Sequence, residues 1–261
     1  MFLAGFVAYA LAPVMPSISA ERHLFGWDVE PLTGTIRADR PGFSTNPQTV
    51  PRGRLQIEGG YQFSEDQGVD RHTLPLLLIR AGLTKKLELR ASWDGSSWTD
   101  ENGRFEPEAS DMGLGLKAHL VEQSRLLPAI GLLGSLSLPT GNGGSTSNGV
   151  DPTGGLLWNY ELAAGPGLFG TLLMSSVTDD DRRFFEAANA VGVSLPMNDR
   201  FGVFLEYFGF YRTGGGGAAH NLDGGLTYLP ADNLQLDIHG GVGINGRADD
   251  CFLGTGLAFR F

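Results

Sequence analysis

Apolar and polar residues alternate with a period of two along most of the chain from residue 53 onward. In Leu55-Gln56-Ile57-Glu58-Gly59-Gly60-Tyr61-Gln62-Phe63-Ser64 the odd positions are apolar or glycine and the even ones polar or glycine. Leu87-Glu88-Leu89-Arg90-Ala91-Ser92-Trp93-Asp94 repeats the pattern, as do 111–120, 234–239 and the final 253–261. A period of two sends successive side chains to opposite faces, so each segment predicts a strand with one apolar and one polar face. Weaker segments of the same kind occupy 72–83, 127–138, 153–162, 167–176, 185–195, 201–211 and 220–228. The total is about twelve strands of roughly ten residues, and no helical period competes with them after residue 53.

Strand length separates two all-β classes. Strands in soluble sandwiches run to about five or six residues, whereas a tilted strand needs about 9–11 to cross a bilayer. The expected fold is therefore all-β, a transmembrane antiparallel β-barrel of about 12 strands, with its apolar face on lipid and its polar face lining the lumen. The connections agree. Those at 65–70, 95–110, 139–152, 177–184, 212–219 and 245–250 are the longer set; those at 84–86, 121–126, 163–166, 196–200 and 229–233 are the shorter. Long outside loops and short periplasmic turns segregate in this way, which puts both barrel termini on the periplasmic side. Phe63, Trp93, Trp158, Tyr211, Tyr228 and Phe259 fall near strand ends, where interfacial aromatic girdles form.

The N-terminal part reads differently. Residues 2–12 are apolar but too few for a membrane helix of about 20 residues. Pro13, Pro16 and the small-x-small Ser17-Ile18-Ser19 follow, which predicts a signal peptide over 1–19, although no basic residue precedes Arg22. Residues 20–52 lack alternation and form either a periplasmic tail or a plug folded into the barrel of 53–261. Their apolar residues Leu24, Phe25, Trp27, Ile36 and Phe43 argue for ordered contact. Asp39-Arg40-Pro41 is the plug candidate, with Arg40 pairing to a lumen carboxylate.

Composition narrows the function classes. Of 261 residues 39 are glycine, which opposes long helices and suits a tight inner wall. Collagen is excluded because the glycines keep no three-residue period. A net charge of −10 opposes nucleic-acid binding, and 41% hydrophobic residues oppose disorder. One cysteine, Cys251, allows no internal disulfide and no Cys-x-x-Cys site.

Strand parity supplies the candidate site. It turns Glu58, Glu88, Arg90, Asp111, Lys117, His119, Glu161, Glu206, Asp223, Asp237, His239 and Arg260 inward, joined by Arg80 and Gln62. Phe204, Phe208 and Phe210 share the parity of Glu206 and form an inward aromatic run. Charges of both signs across a narrow lumen must pair. They form either a salt-bridge ladder that holds and blocks the barrel or a constricted polar pathway with a binding site. Carboxylates outnumber bases, which disfavours an anion-selective pore. An apolar cargo needs a hydrophobic stretch of lumen or a lateral opening.

Other motifs resolve to structure. Gly241-Val242-Gly243-Ile244-Asn245-Gly246 matches a dinucleotide fingerprint, but strand rather than helix follows it. Gly141-Asn142-Gly143-Gly144-Ser145 lacks the Gly-Lys-Ser/Thr of a phosphate loop. None of the five histidines stands in the His-x-Ser-Asn-Gly pattern of the outer-membrane phospholipase, which opposes a lipid hydrolase. Asp179-Asp180-Asp181 reads as a solvated acidic turn without EF-hand spacing. No catalytic residue, metal site or cofactor is expected.

The ordered motifs resemble the MetA-pathway phenol-degradation family of outer-membrane β-barrel transporters. The resemblance starts at Asp39-Arg40-Pro41-Gly42-Phe43-Ser44 and runs through Val50-Pro51-Arg52-Gly53, Gly82-Leu83-Thr84 and Gly113-Leu114-Gly115-Leu116-Lys117. It continues with Leu136-Ser137-Leu138-Pro139-Thr140-Gly141, Leu156-Leu157-Trp158-Asn159-Tyr160-Glu161-Leu162, Glu206-Tyr207-Phe208-Gly209 and Asp232-Asn233-Leu234-Gln235-Leu236-Asp237. Ala38 departs from the family's usual polar residue before Asp-Arg-Pro. The resemblance implies passive passage of small, aromatic or apolar molecules through the bacterial outer membrane. Expected partners are outer-membrane lipid, lipopolysaccharide, a small-molecule substrate and the barrel-assembly machinery, which would read the terminal Phe261. The competing expectation is a closed structural or adhesive barrel without transport.

Overall fold

The computed structural model describes residues 29–99, 107–163, 165–179, 182–214 and 217–261. The expected signal peptide, Leu24, Phe25, Trp27 and most of the 179–181 acidic turn lie outside these residues. Fifteen strands follow in order: β1 (Leu55–Asp66), β2 (Val69–Leu74), β3 (Leu77–Gly82), β4 (Leu87–Trp93), β5 (Ser96–Thr99), β6 (Glu108–Ala109), β7 (Met112–Val121), β8 (Ala129–Leu138), β9 (Asp151–Glu161), β10 (Gly167–Asp179), β11 (Arg182–Pro196), β12 (Phe201–Arg212), β13 (Gly217–Ala231), β14 (Leu234–Gly243) and β15 (Cys251–Arg260). β1, β3, β4 and β7 to β15 make a 12-stranded antiparallel sheet, closed where β15 pairs back onto β1. Gln56 stands opposite Arg260 and Glu65 opposite Cys251 in that closing ladder. Closure pairs the first strand with the last, so neither presents an open edge to hydrocarbon.

The alternation sorts as expected. Leu114, Leu116, Leu132, Leu136, Val191, Val193, Leu205, Ile238 and Leu257 point outward and are exposed. In water such a surface would cost about 25 cal/mol per Å²; in a bilayer it is the contact with lipid. Buried polar and charged residues occupy the other face, among them Glu58, Arg80, Glu88, Lys117, Glu206 and Asp237. Outward aromatics gather near the barrel ends: Phe201 stacks on Tyr228 at 4.6 Å between ring centroids, and Phe259 meets Phe261 edge-on at 4.7 Å.

Two features depart from the alternation reading. The expected strand 72–83 is two strands, β2 and β3, broken at Pro75-Leu76. Pro75 has no N–H for the ladder, and Leu76 takes a positive φ of 47°. The carbonyl of Pro75 instead accepts the amide of Gly60 at 2.6 Å. The next wall strand breaks between β4 and β5, and the following one between β6 and β7, so the wall is interrupted across three neighbours. Elsewhere strands overrun their expected ends. β11 and β13 have 15 residues each, and β10 continues to Asp179. Ladder pairs therefore extend into the expected loops 177–184 and 212–219, at 177–179 with 182–184 and at 212 with 217.

Candidate functional site

Residues 34–50 enter the barrel from its short-turn end and fill the middle of the lumen. At the entrance, Ile36 N donates to Asp232 O at 2.6 Å and Arg260 Nη2 to Gly34 O at 2.8 Å. Deeper in, the segment has no regular secondary structure, so its backbone groups need side-chain partners from the wall. They find carboxylates. Glu58 accepts the amides of Asp39 and Arg40 at 2.9 and 3.1 Å. Glu206 accepts those of Phe43 and Ser44 at 2.7 and 2.9 Å, and Glu88 that of Val50 at 2.8 Å. On the returning limb Lys117 donates to Asn46 O at 2.9 Å, and His119 Nδ1 lies 3.2 Å from Pro47 O.

Asp39 is the centre of a charge cluster. Its carboxylate pairs with Arg90, with Lys117 at 3.2 Å and with Arg80 at 3.3 Å. Arg80 grips Glu88 through two parallel bonds of 2.9 Å and reaches Glu58 at 2.9 Å. Three cations thus face three carboxylates, and the buried cluster is neutral, as the cost of unpaired buried charge requires. Burial alone would raise the Asp39 carboxyl, but Arg80, Lys117 and Arg90 outweigh it and hold it well below the usual carboxylate range. Arg40 forms a separate contact, Nη2 to Asp237 Oδ1 at 3.1 Å. It lies over the paired Gly60 and Gly256 of β1 and β15. A Cβ on Gly60 would stand 2.5 Å from the guanidinium carbon, so glycine here makes the room for Arg40.

Two cavities flank the plug and share Arg40, Pro41 and Gly42 in their linings. The one toward the short turns measures about 490 Å³ and is bordered by Asn159, Phe169, Phe204 and Gln235. The one toward the long loops measures about 520 Å³ and is bordered by Phe43, Phe208, Phe210, Asp223, His239 and Phe252. It also reaches Leu76 and Asp94 at the wall interruption.

Most residues chosen by parity meet in this lumen. Glu58, Arg80, Glu88, Arg90, Lys117 and His119 hold the plug on one side; Glu206 and Asp237 hold it on the other. Asp223, His239 and Gln62 line the outer cavity, Phe204 the inner one, and Arg260 the entrance. One residue does not fit the expectation. Asp111 precedes β7 instead of lying within it, and it borders neither cavity. Its carboxylate accepts the amides of Thr140, Gly141 and Ser147 at 3.0, 2.9 and 2.9 Å and ties down the loop after β8. Glu161 ends β9 at the rim of the inner cavity, which it borders together with its ion-pair partner Arg37 at 3.3 Å. Parity misses Phe252, because the expected last strand starts at residue 253; extending that strand back by one residue, with the even parity of Arg260, turns Phe252 inward. It also misses the stacking of Phe43 on Phe208, at 5.1 Å and 7° between rings. The plug has no period that could announce it.

Among solved structures, the chain is similar to the COG4313 outer membrane channel from Pseudomonas putida F1. The identity is 12% and the TM-score 0.65, over 85% of this chain and 99% of that one. It is also similar to the NanC porin, at 11% identity and a TM-score of 0.54, over 78% of this chain and 98% of the porin. Likeness at these identities establishes the fold, a bacterial outer-membrane barrel. No curated protein matches the sequence. A family model described as "Putative MetA-pathway of phenol degradation" matches residues 38–261, and the chain belongs to that family.

Proposed function

We propose that the chain is an outer-membrane channel for passive passage of small molecules, aromatic or apolar in character, with the plug as its constriction. The observation that carries this reading is the pair of cavities on either side of Arg40-Pro41-Gly42. Each is large enough for a small organic molecule, and these three plug residues border both. The inward aromatic run supports an aromatic cargo, since Phe208 and Phe210 border the outer cavity and Phe204 the inner one. The family's description connects it with phenol degradation, and the two similar structures are named a channel and a porin. Transport would run down a gradient.

The neutral cluster around Asp39 favours a second reading, a permanently closed structural barrel, because a fully satisfied buried network resists opening. Proteoliposome uptake separates the two. Entry of small phenols into liposomes containing the full chain, at rates well above protein-free liposomes, supports transport; rates equal to the control support the closed barrel.

A further inference from the structure

We propose that the outer cavity is a binding site for aromatic compounds that carry a protonated amine, with Asp223 as the group that selects the charge. This deepens the channel reading and rests on it. The apolar wall is built from four phenylalanines. Phe43 of the plug stacks on Phe208 and meets Phe210 edge-on at 5.2 Å, and Phe252 stands 6.1 Å from Phe208. Such faces hold an aromatic body and attract a cation through the ring quadrupole.

The polar wall lacks a partner. Asp223 is 3% exposed, and its Oδ1 has no hydrogen bond among the described residues. The nearest ring nitrogen, Nδ1 of His239, is 3.9 Å from Oδ2, beyond hydrogen-bond reach, and is itself unpartnered. Among the described residues no Lys or Arg pairs with Asp223, and the neighbouring groups explain why. Arg40 is engaged by Asp237, and Glu206, the cross-strand neighbour of Asp223, accepts the plug amides. Arg247 and Asp249 are exposed at the mouth, and Asp94 adds a further carboxylate to the lining. A buried carboxylate without a donor is costly. An ammonium or anilinium group next to Asp223 would supply both the missing donor and the countercharge, with its ring against Phe208 and Phe252. A carboxylate-bearing aromatic of the same size would meet repulsion, and a neutral alcohol would supply a donor without the charge.

Equilibrium binding to the full chain in lipid nanodiscs, corrected with empty discs, tests this with benzylamine, benzyl alcohol and benzoate at neutral pH. The expected result is that benzylamine binds about tenfold more tightly than benzyl alcohol and that benzoate binds least. Asp223→Asn is expected to bring benzylamine down to the level of the alcohol. Equal affinities, a preference for benzoate, no binding of benzylamine, or an unchanged amine affinity in Asp223→Asn would each overturn the site. If Asp223→Asn does not fold, the ranking in the unaltered protein still decides. Binding is read independently of flux: amine selectivity without ion or solute passage would keep the site and reject the channel, whereas passage without selectivity would do the reverse.

Discussion

The Arg40 guanidinium donates to the Asp237 carboxylate at 3.1 Å, a contact between plug and wall that spans 197 residues of sequence. The Asp237 side chain is fully shielded from solvent, and that of Arg40 is 12% exposed. Removing one partner of a buried pair leaves an uncompensated charge, at a cost of about 3–5 kcal/mol. Arg40→Ala is therefore expected to loosen the plug and to raise conductance in planar bilayers or to impair assembly. Unchanged conductance together with unchanged outer-membrane yield would show that Arg40 does not hold the plug.

The space for Arg40 is made by missing side chains. Gly60→Val puts branched carbon where the guanidinium lies, and neither the β1 backbone nor the closed barrel can yield to it. The expected outcome is the phenotype of Arg40→Ala with Arg40 still present, seen as greater protease cleavage within 36–50 in reconstituted protein. Cleavage at the native rate would show that Arg40 can leave its place without opening the plug.

Acid should weaken the plug through Asp39. Its carboxyl is held below the usual range in the folded protein, so any state that releases it binds the proton more readily. The stabilisation is fully present above the ordinary carboxylate value of about 4 and is lost as pH falls through that value toward the lowered one. The melting temperature, as far as Asp39 sets it, should be level between pH 7 and 5 and should decline below pH 4. Asp39→Asn should melt lower at pH 7 and show a shallower acid decline. Superimposable pH profiles would remove Asp39 from the coupling.

The loop after β8 should respond to Asp111 alone. Burial raises its carboxyl, but the amides of Ser147 and Gly141 and the hydroxyls of Thr146 and Ser147 outweigh this and leave it lowered. Asp111→Ala removes the acceptor of the exposed Thr140 amide, which water can replace, and of the half-buried Gly141 and Ser147 amides, whose loss costs at most about 1–3 kcal/mol each. Limited proteolysis between 139 and 150 is expected to quicken while conductance stays native. A change in conductance would return Asp111 to the pathway.

The strands were legible because lipid and lumen impose opposite chemistry on alternate residues. Leu234-Gln235-Leu236-Asp237-Ile238-His239 shows this with no ambiguity, and every second residue of it faces the lumen. Proline at 75 was a visible breaker inside an otherwise acceptable strand, and its missing amide outweighed the pattern. The plug was legible as a candidate from Asp39-Arg40-Pro41 and the absence of alternation. Its partners were not. Which carboxylate receives Arg40, and which cations surround Asp39, depends on how an aperiodic segment fills a space shaped by twelve strands. The stacking of Phe43 on Phe208 belongs to the same class, joining residues 165 positions apart whose local sequences carry no mark of each other.

Single-channel recording of the full chain in planar bilayers bears most directly on a plugged but passable lumen. The expected record is small discrete conductance steps. Under a potassium chloride gradient the reversal potential should favour cations, since carboxylates exceed bases along the lumen. Replacing residues 38–47 with a glycine-serine linker of equal length should enlarge the steps severalfold. A silent bilayer for both proteins, with no solute uptake by matched liposomes, would contradict the channel and leave the barrel a closed one.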